Sequence, residues 1–143
     1  MTELNLTILY VADAAASDAF YADLFGRAPV EASPNFAMFI MPSGARLGLW
    51  SRHDVKPVIT VPAGAGEIVF YAKDAGALAV QHADWAARGL TIAQAPVELD
   101  FGATFVALDP DGHRLRASRG GEEAAHVLHG ALATWRADDR RHD

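Results

Sequence analysis

Two stretches of this chain carry the same pattern of hydrophobic and polar positions. Leu6-Thr7-Ile8-Leu9-Tyr10-Val11-Ala12-Asp13 and Glu67-Ile68-Val69-Phe70-Tyr71-Ala72-Lys73-Asp74 are both extended apolar runs that stop at an Asp. Each Asp is followed by a helical stretch closed by a glycine, Gly26 in the first half and Gly89 in the second. Further on, residues 36–50 align without a gap on 104–118, with Pro42-Ser43-Gly44 over Pro110-Asp111-Gly112. A period this long, with matching turns, predicts a duplicated module of strand, helix and three strands and not a solenoid.

In the first half the pattern predicts a strand over 4–12 and a helix over 14–25, N-capped by the Asp13 carboxylate and closed by a left-handed Gly26. Ala16, Phe20, Tyr21, Leu24 and Phe25 are expected to form its apolar face. Strands follow over 28–32, 36–41 and 46–51, the last two joined by the Pro42-Ser43-Gly44 turn. A linker over 52–66 carries Pro57, Pro62 and Gly64 and no periodicity. The second half repeats the order: a strand over 67–73, a helix over 76–88 capped by Asp74, and strands over 91–97, 103–108 and 113–118. The expected fold is therefore α+β, two tandem βαβββ modules (4–51 and 67–118) forming curled mixed sheets around a cleft within one domain, 1–118. Beyond it, in 119–143, Val127, Leu128, Ala131, Leu132 and Trp135 recur at helical spacing and predict an extra amphipathic helix over 122–136, followed by a charged tail.

Alternation along a strand assigns its faces. Thr7, Leu9 and Val11, like Ile68, Phe70 and Ala72, belong under a helix, together with Leu47, Leu49, Leu115 and Ala117. The opposite faces carry Leu6, Ile8, Tyr10, Gly48 and Trp50 in one module and Glu67, Val69, Tyr71, Arg114, Arg116 and Ser118 in the other. Polar and aromatic groups are thus expected to line a concavity.

Composition narrows the function. With 143 residues and 51% hydrophobic content the chain can bury one substantial core. It has no apolar run of about 18 residues and no basic-then-apolar leader, so no membrane partner is expected and a soluble, cytoplasmic protein is. The absence of cysteine excludes disulfides, zinc-thiolate sites and thiol nucleophiles. A net charge of -6 argues against a nucleic-acid partner, whose binding rests on cationic side chains, and favours a neutral or cationic small molecule. No Ser or Thr sits in a Gly-x-Ser-x-Gly elbow, and Gly64-Ala65-Gly66 is linker, not a nucleotide fingerprint. His126 and His129 are spaced as on one helix face, but without a partnering carboxylate they read as solvated surface. His113 occupies a turn slot in which Asn or His tolerates the local backbone, and His53 has only its nearness to Trp50 in sequence to recommend it.

The duplicated module, with Phe20-Tyr21 in the first helix and Asp109-Pro110-Asp111-Gly112-His113 before the last strand, resembles the vicinal oxygen chelate superfamily of glyoxalases, bleomycin-binding proteins and ring-cleaving dioxygenases. Within it, Asn5-Leu6-Thr7-Ile8-Leu9-Tyr10-Val11, Leu49-Trp50-Ser51 and Phe101-Gly102-Ala103-Thr104-Phe105 make the chain look most like phenazine-antibiotic resistance proteins. The resemblance implies a homodimer with paired clefts. It also implies that the metal ligands of chelating members fall on Leu6, Gly48, Glu67 and Arg116. Leu and Gly cannot ligate through a side chain, and Arg is a permanent cation, so no metal cofactor is expected.

Glu67 and Arg116 are then expected to face one another across the cleft, either as a structural ion pair at its floor or as a receptor for a polar ligand group. Trp50, with Tyr10 or Tyr71, offers planes to sandwich a flat aromatic ligand, and Gly48 is expected to leave space beside the indole, over a wall that includes Ile8. The function expected from these residues is metal-independent sequestration of a small planar aromatic compound, such as an antibiotic. The alternatives are a glyoxalase-like lyase, isomerase or dioxygenase, working through a metal held by some other ligand set or with Glu67 as its base, and an interaction module contacting partners through the helix over 122–136.

Overall fold

The computed structural model describes residues 2–100 and 102–119. The helix expected over 122–136, with His126, His129 and Trp135, lies outside the described residues. The described residues form two compact units, 2–66 with 109–113, and 67–100 and 102–108 with 114–119.

In the first unit β1 (Thr7–Val11) leads into α1 (Ala14–Phe25), then β2 (Glu31–Ser33), β3 (Phe36–Ile40) and β4 (Arg46–Ser51). Asp13 caps α1 as the sequence predicts, accepting a hydrogen bond from the Ala15 N–H at 3.0 Å, and Gly26 closes it at φ 65°. The sheet order is β1-β4-β3-β2, with β1 parallel to β4 and the remaining pairs antiparallel. Leu9, Val11, Leu47 and Leu49 are buried on one face, and α1 lies on that side with Ser17 and Tyr21 buried against the sheet. The buried stripe of α1 runs through Ala14, Ser17 and Tyr21. Ala16, expected in that stripe, is exposed, because it lies about 100° around the helix from its buried neighbour Ser17. The Ser17 hydroxyl had disguised the true face. Tyr21, Phe25 and Phe39 stack in sequence, with centroids 5.5 and 5.4 Å apart.

The second unit repeats the topology. After a short 3₁₀ turn (Arg52–Asp54) and the linker come β5 (Glu67–Ala72), α2 (Ala75–Ala87), β6 (Thr91–Leu99), β7 (Gly102–Leu108) and β8 (Arg114–Arg119). The order is β5-β8-β7-β6, again with only the first pair parallel. Even the registers correspond: Thr7 lies opposite Leu47 as Ile68 lies opposite Leu115, and Phe36 opposite Trp50 as Thr104 opposite Ser118. Asp74 caps α2 through the Ala77 N–H at 2.8 Å. Trp85, 5% exposed, packs edge-on against Phe70 and Phe105 and anchors this core. The fold is α+β, two βαβββ modules each built on a mixed four-stranded sheet.

Candidate functional site

The sheet face turned away from α1 carries Ile8, Tyr10, Gly48 and Trp50, because β1 and β4 are paired in register, Ile8 beside Gly48 and Tyr10 beside Trp50. Phe36 joins them from β3, directly opposite Trp50. Its ring stands at 88° to the indole with centroids 6.3 Å apart, an edge-to-face pair. The indole Nε1 donates to Asp54 Oδ2 at 3.1 Å, so Trp50 is held at both its edge and its flank. Neither Phe36 nor Asp54 was singled out from the sequence. Phe36 was visible as the repeat partner of Thr104, but its contact with Trp50 depends on a register that the turn length alone hints at.

Two details of this face depart from expectation. Gly48 does not leave open space beside Trp50: a Cβ there would come within 3.2 Å of both Ile8 Cγ1 and Phe36 Cζ. The glycine lets those two side chains close over the strand. Tyr10 is a lateral neighbour of Trp50 on the same sheet face, one strand spacing of about 4.8 Å away, so the pair forms a ledge and cannot clamp a ring from both sides.

In the second unit Glu67 and Arg116 meet as neighbours on the adjacent, paired strands β5 and β8 of one sheet, and not across a cleft as expected. Arg116 Nε donates to Glu67 Oε1 at 3.0 Å. The guanidinium also donates to Thr104 Oγ1 at 3.3 Å, and that fully buried hydroxyl donates in turn to the Ala117 carbonyl at 2.8 Å. Ser118 Oγ lies 3.1 Å from Thr104 Oγ1 and extends the chain. Tyr71 stands beside Ser118 on β5 and is 60% exposed.

A third group lies at the turn Asp109–His113, which clusters with the first unit. Tyr21 Oη donates to Asp109 Oδ2 at 2.7 Å, and His113 Nδ1 contacts the same oxygen at 2.8 Å. Asp109 Oδ1 accepts from the backbone N–H groups of Asp111 and His113, both at 2.9 Å. His113 Nε2 accepts from the Gly64 N–H at 3.2 Å, which leaves Nδ1 as the ring donor toward Asp109. Burial pushes the Asp109 carboxyl up, but the hydrogen bonds from the His113 ring, from Tyr21 and from the His113 backbone outweigh it and hold the group below the usual carboxylate range. Burial first, and then the Asp109 carboxylate, pushes the Tyr21 phenol far above its ordinary value. His113 is therefore more than a residue suited to a turn: it is 3% exposed with both ring nitrogens engaged, and the positive φ of the turn falls on Gly112. The pairing with Tyr21 was not legible locally, because 88 positions separate the partners.

Ile8, Leu9 and Tyr10, with Val61 and Pro62 of the linker and His113, line an open depression of about 260 Å³ along β1. Trp50 is not part of its wall.

Metal chemistry was weighed at two places. Ligand atoms of Asp109, Asp111 and His113 lie within 4.8 Å of one another. Asp109 already accepts four hydrogen bonds and His113 Nε2 one, which leaves acceptor capacity on Asp111 alone, whose Oδ1 accepts from the Ala12 N–H at 3.2 Å. At the positions where chelating relatives hold their ion, Leu6 and Gly48 offer no donor, and the Glu67 carboxylate is committed to Arg116. This donor set does not fit a divalent metal.

Residues 3–117 match the Glyoxalase/Bleomycin resistance protein/Dioxygenase superfamily. The chain belongs to this superfamily. Among its relatives, the phenazine antibiotic resistance protein EhpR of Enterobacter agglomerans is 28% identical over 114 residues, 78% of this chain and 88% of that protein. The solution structure of protein ATC0852 from Agrobacterium tumefaciens is 44% identical with a TM-score of 0.76, over 85% of this chain and 99% of that one. Lactoylglutathione lyase from the same organism shares the fold at 22% identity, with a TM-score of 0.68 over 84% of this chain and 95% of that one. No helix among the described residues is long and apolar enough to cross a membrane.

Proposed function

We propose that this superfamily member binds and sequesters a small planar aromatic compound without a metal, using Trp50 as the stacking platform. The observation that carries the reading is the pre-set indole: Asp54 fixes its Nε1 and Phe36 backs it edge-on, so little side-chain freedom is lost when a flat ring settles on it. Ile8, Gly48 and Tyr10 continue the same face as an apolar ledge. Glu67 and Arg116, with Tyr71, form a separate polar face on the second unit, whose chemistry suits hydroxyl, carbonyl or carboxylate groups. The likeness to a phenazine antibiotic resistance protein supports a role in protection against an antibiotic-like molecule. Catalysis through the superfamily's metal has no support in this donor set.

The test is a titration with phenazines, quinones and glycopeptide antibiotics, read by tryptophan fluorescence. At least one class should quench saturably, with Trp85 contributing a constant background from the core. Trp50→Ala should weaken binding by about 1–3 kcal/mol, as loss of a central aromatic anchor does. Undiminished binding by that variant, or turnover of a glutathione adduct or catechol in place of binding, would overturn the proposal.

A further inference from the structure

The geometry points to a positively charged ring as the occupant of Trp50, with Asp54 as its counter-charge; this deepens the stacking reading and rests on it. Asp54 ends the 3₁₀ turn that follows β4, and its carboxylate is exposed with only the indole N–H as its partner among the described residues. It makes no ion pair there. The cations nearest in sequence form no ion pair with it: the Arg52 guanidinium donates to the Val61 carbonyl at 2.9 Å, and Lys56 is exposed on the linker.

A carboxylate accepting from the indole N–H in the plane of the ring raises the electron density on both faces. The attraction of those faces for a cation increases accordingly. A flat cation stacked on the indole would also lie within a few ångströms of the carboxylate itself, well inside the roughly 8 Å over which salt screens such charges. A neutral ring of the same shape gains the stacking and neither electrostatic contribution. The chain's net charge of -6 draws the same class of ligand from a distance. The ligand class is therefore a planar heteroaromatic carrying a fixed or readily acquired positive charge, such as a quaternised ring nitrogen.

The experiment compares N-methylquinolinium with quinoline at pH 8, where quinoline is neutral, by calorimetric titration of the full chain and of Trp50→Ala, Asp54→Asn and Asp54→Ala. The expected result is a preference of roughly fivefold or more for the cation in the wild-type protein, in keeping with a cation over a partly desolvated indole. That preference should shrink at high salt and fall several-fold in Asp54→Asn, toward what the indole alone supplies, with the loss on N-methylquinolinium larger than any loss on quinoline. Asp54→Ala should weaken both compounds and move the Trp50 indole N–H resonance. Equal wild-type affinities, or a preference undiminished in Asp54→Asn, would overturn the inference while leaving the stacking site intact. Failure of both compounds to give heat that depends on Trp50 would overturn the stacking reading and this inference together.

Discussion

Asp109 gathers four hydrogen bonds at one carboxylate, from Tyr21, from the His113 ring and from the backbone of Asp111 and His113. Its proton affinity is lowered in the folded chain, so its contribution is complete above the unfolded carboxylate pKa of about 4 and is lost as pH falls through the folded value. The Tyr21 phenol is raised, so its contribution is complete below the unfolded value of about 10 and is lost as pH climbs beyond it. Tyr21→Phe should therefore cost about 1–3 kcal/mol between these limits, since it strips a charge-assisted hydrogen bond from a buried acceptor. The cost should shrink at both ends of the range, below about pH 4 and above about pH 10. Urea unfolding at a series of pH values measures it, and a penalty constant across pH would contradict the linkage. The sequence displays both partners, Phe20-Tyr21 and Asp109-Pro110-Asp111-Gly112-His113, but hydrophobic periodicity reports on neighbours a few residues apart. It is silent about a bond that spans the length of the domain.

At the scale of elements, the sequence is most legible where a cap or a turn punctuates it. Helix α1 and strand β4 have the expected bounds because Asp13, Gly26 and the Pro42-Ser43-Gly44 turn mark them. Strand β1 begins at Thr7 and not at residue 4, since β4 offers pairing partners only from Leu47 to Ser51. Strand β6 runs on to Leu99, past the expected 97, because two register shifts against β7 absorb the additional residues. The linker shows no pattern at all, yet Gly64 is pinned. A Cβ at Gly64 would fall 2.1 Å from the Asp111 carbonyl oxygen, at a φ of +101°. Gly44, at φ +93°, has nothing within 4 Å. Gly44→Ala should cost the conformational penalty alone, about 1–3 kcal/mol, whereas Gly64→Ala should exceed it by about 1 kcal/mol or more through a clash that no side-chain rotation relieves. Chemical denaturation midpoints of the two variants decide it, and equal losses would mean that the linker yields without resistance.

For the whole molecule, duplication made the two-module architecture readable in advance, because matching patterns at matching turns leave one topology per module. Assembly is not encoded that way, since it depends on which surfaces remain apolar after both cores are filled. Each sheet ends in two edge strands, β1 and β2 in one and β5 and β6 in the other. On β5, Val69 and Tyr71 are 52% and 60% exposed, and on β6, Val97 and Leu99 are 39% and 40% exposed, each pair two residues apart and so on one side of its strand. Edges of this kind recruit further strands or hydrophobic partners unless they are covered. Self-association through a two-fold axis covers them twice per contact and then closes, while the net charge of -6 opposes growth beyond the closed pair. Light scattering at micromolar concentration should accordingly give twice the 15.3 kDa chain mass. Replacing Val97 and Leu99 together with Lys should return the single-chain mass if β6 is the contact, with helical circular dichroism unchanged. A wild-type protein that is monodisperse at 15.3 kDa would refute the dimer, and would confine the ligand site to Trp50 and its neighbours within one chain.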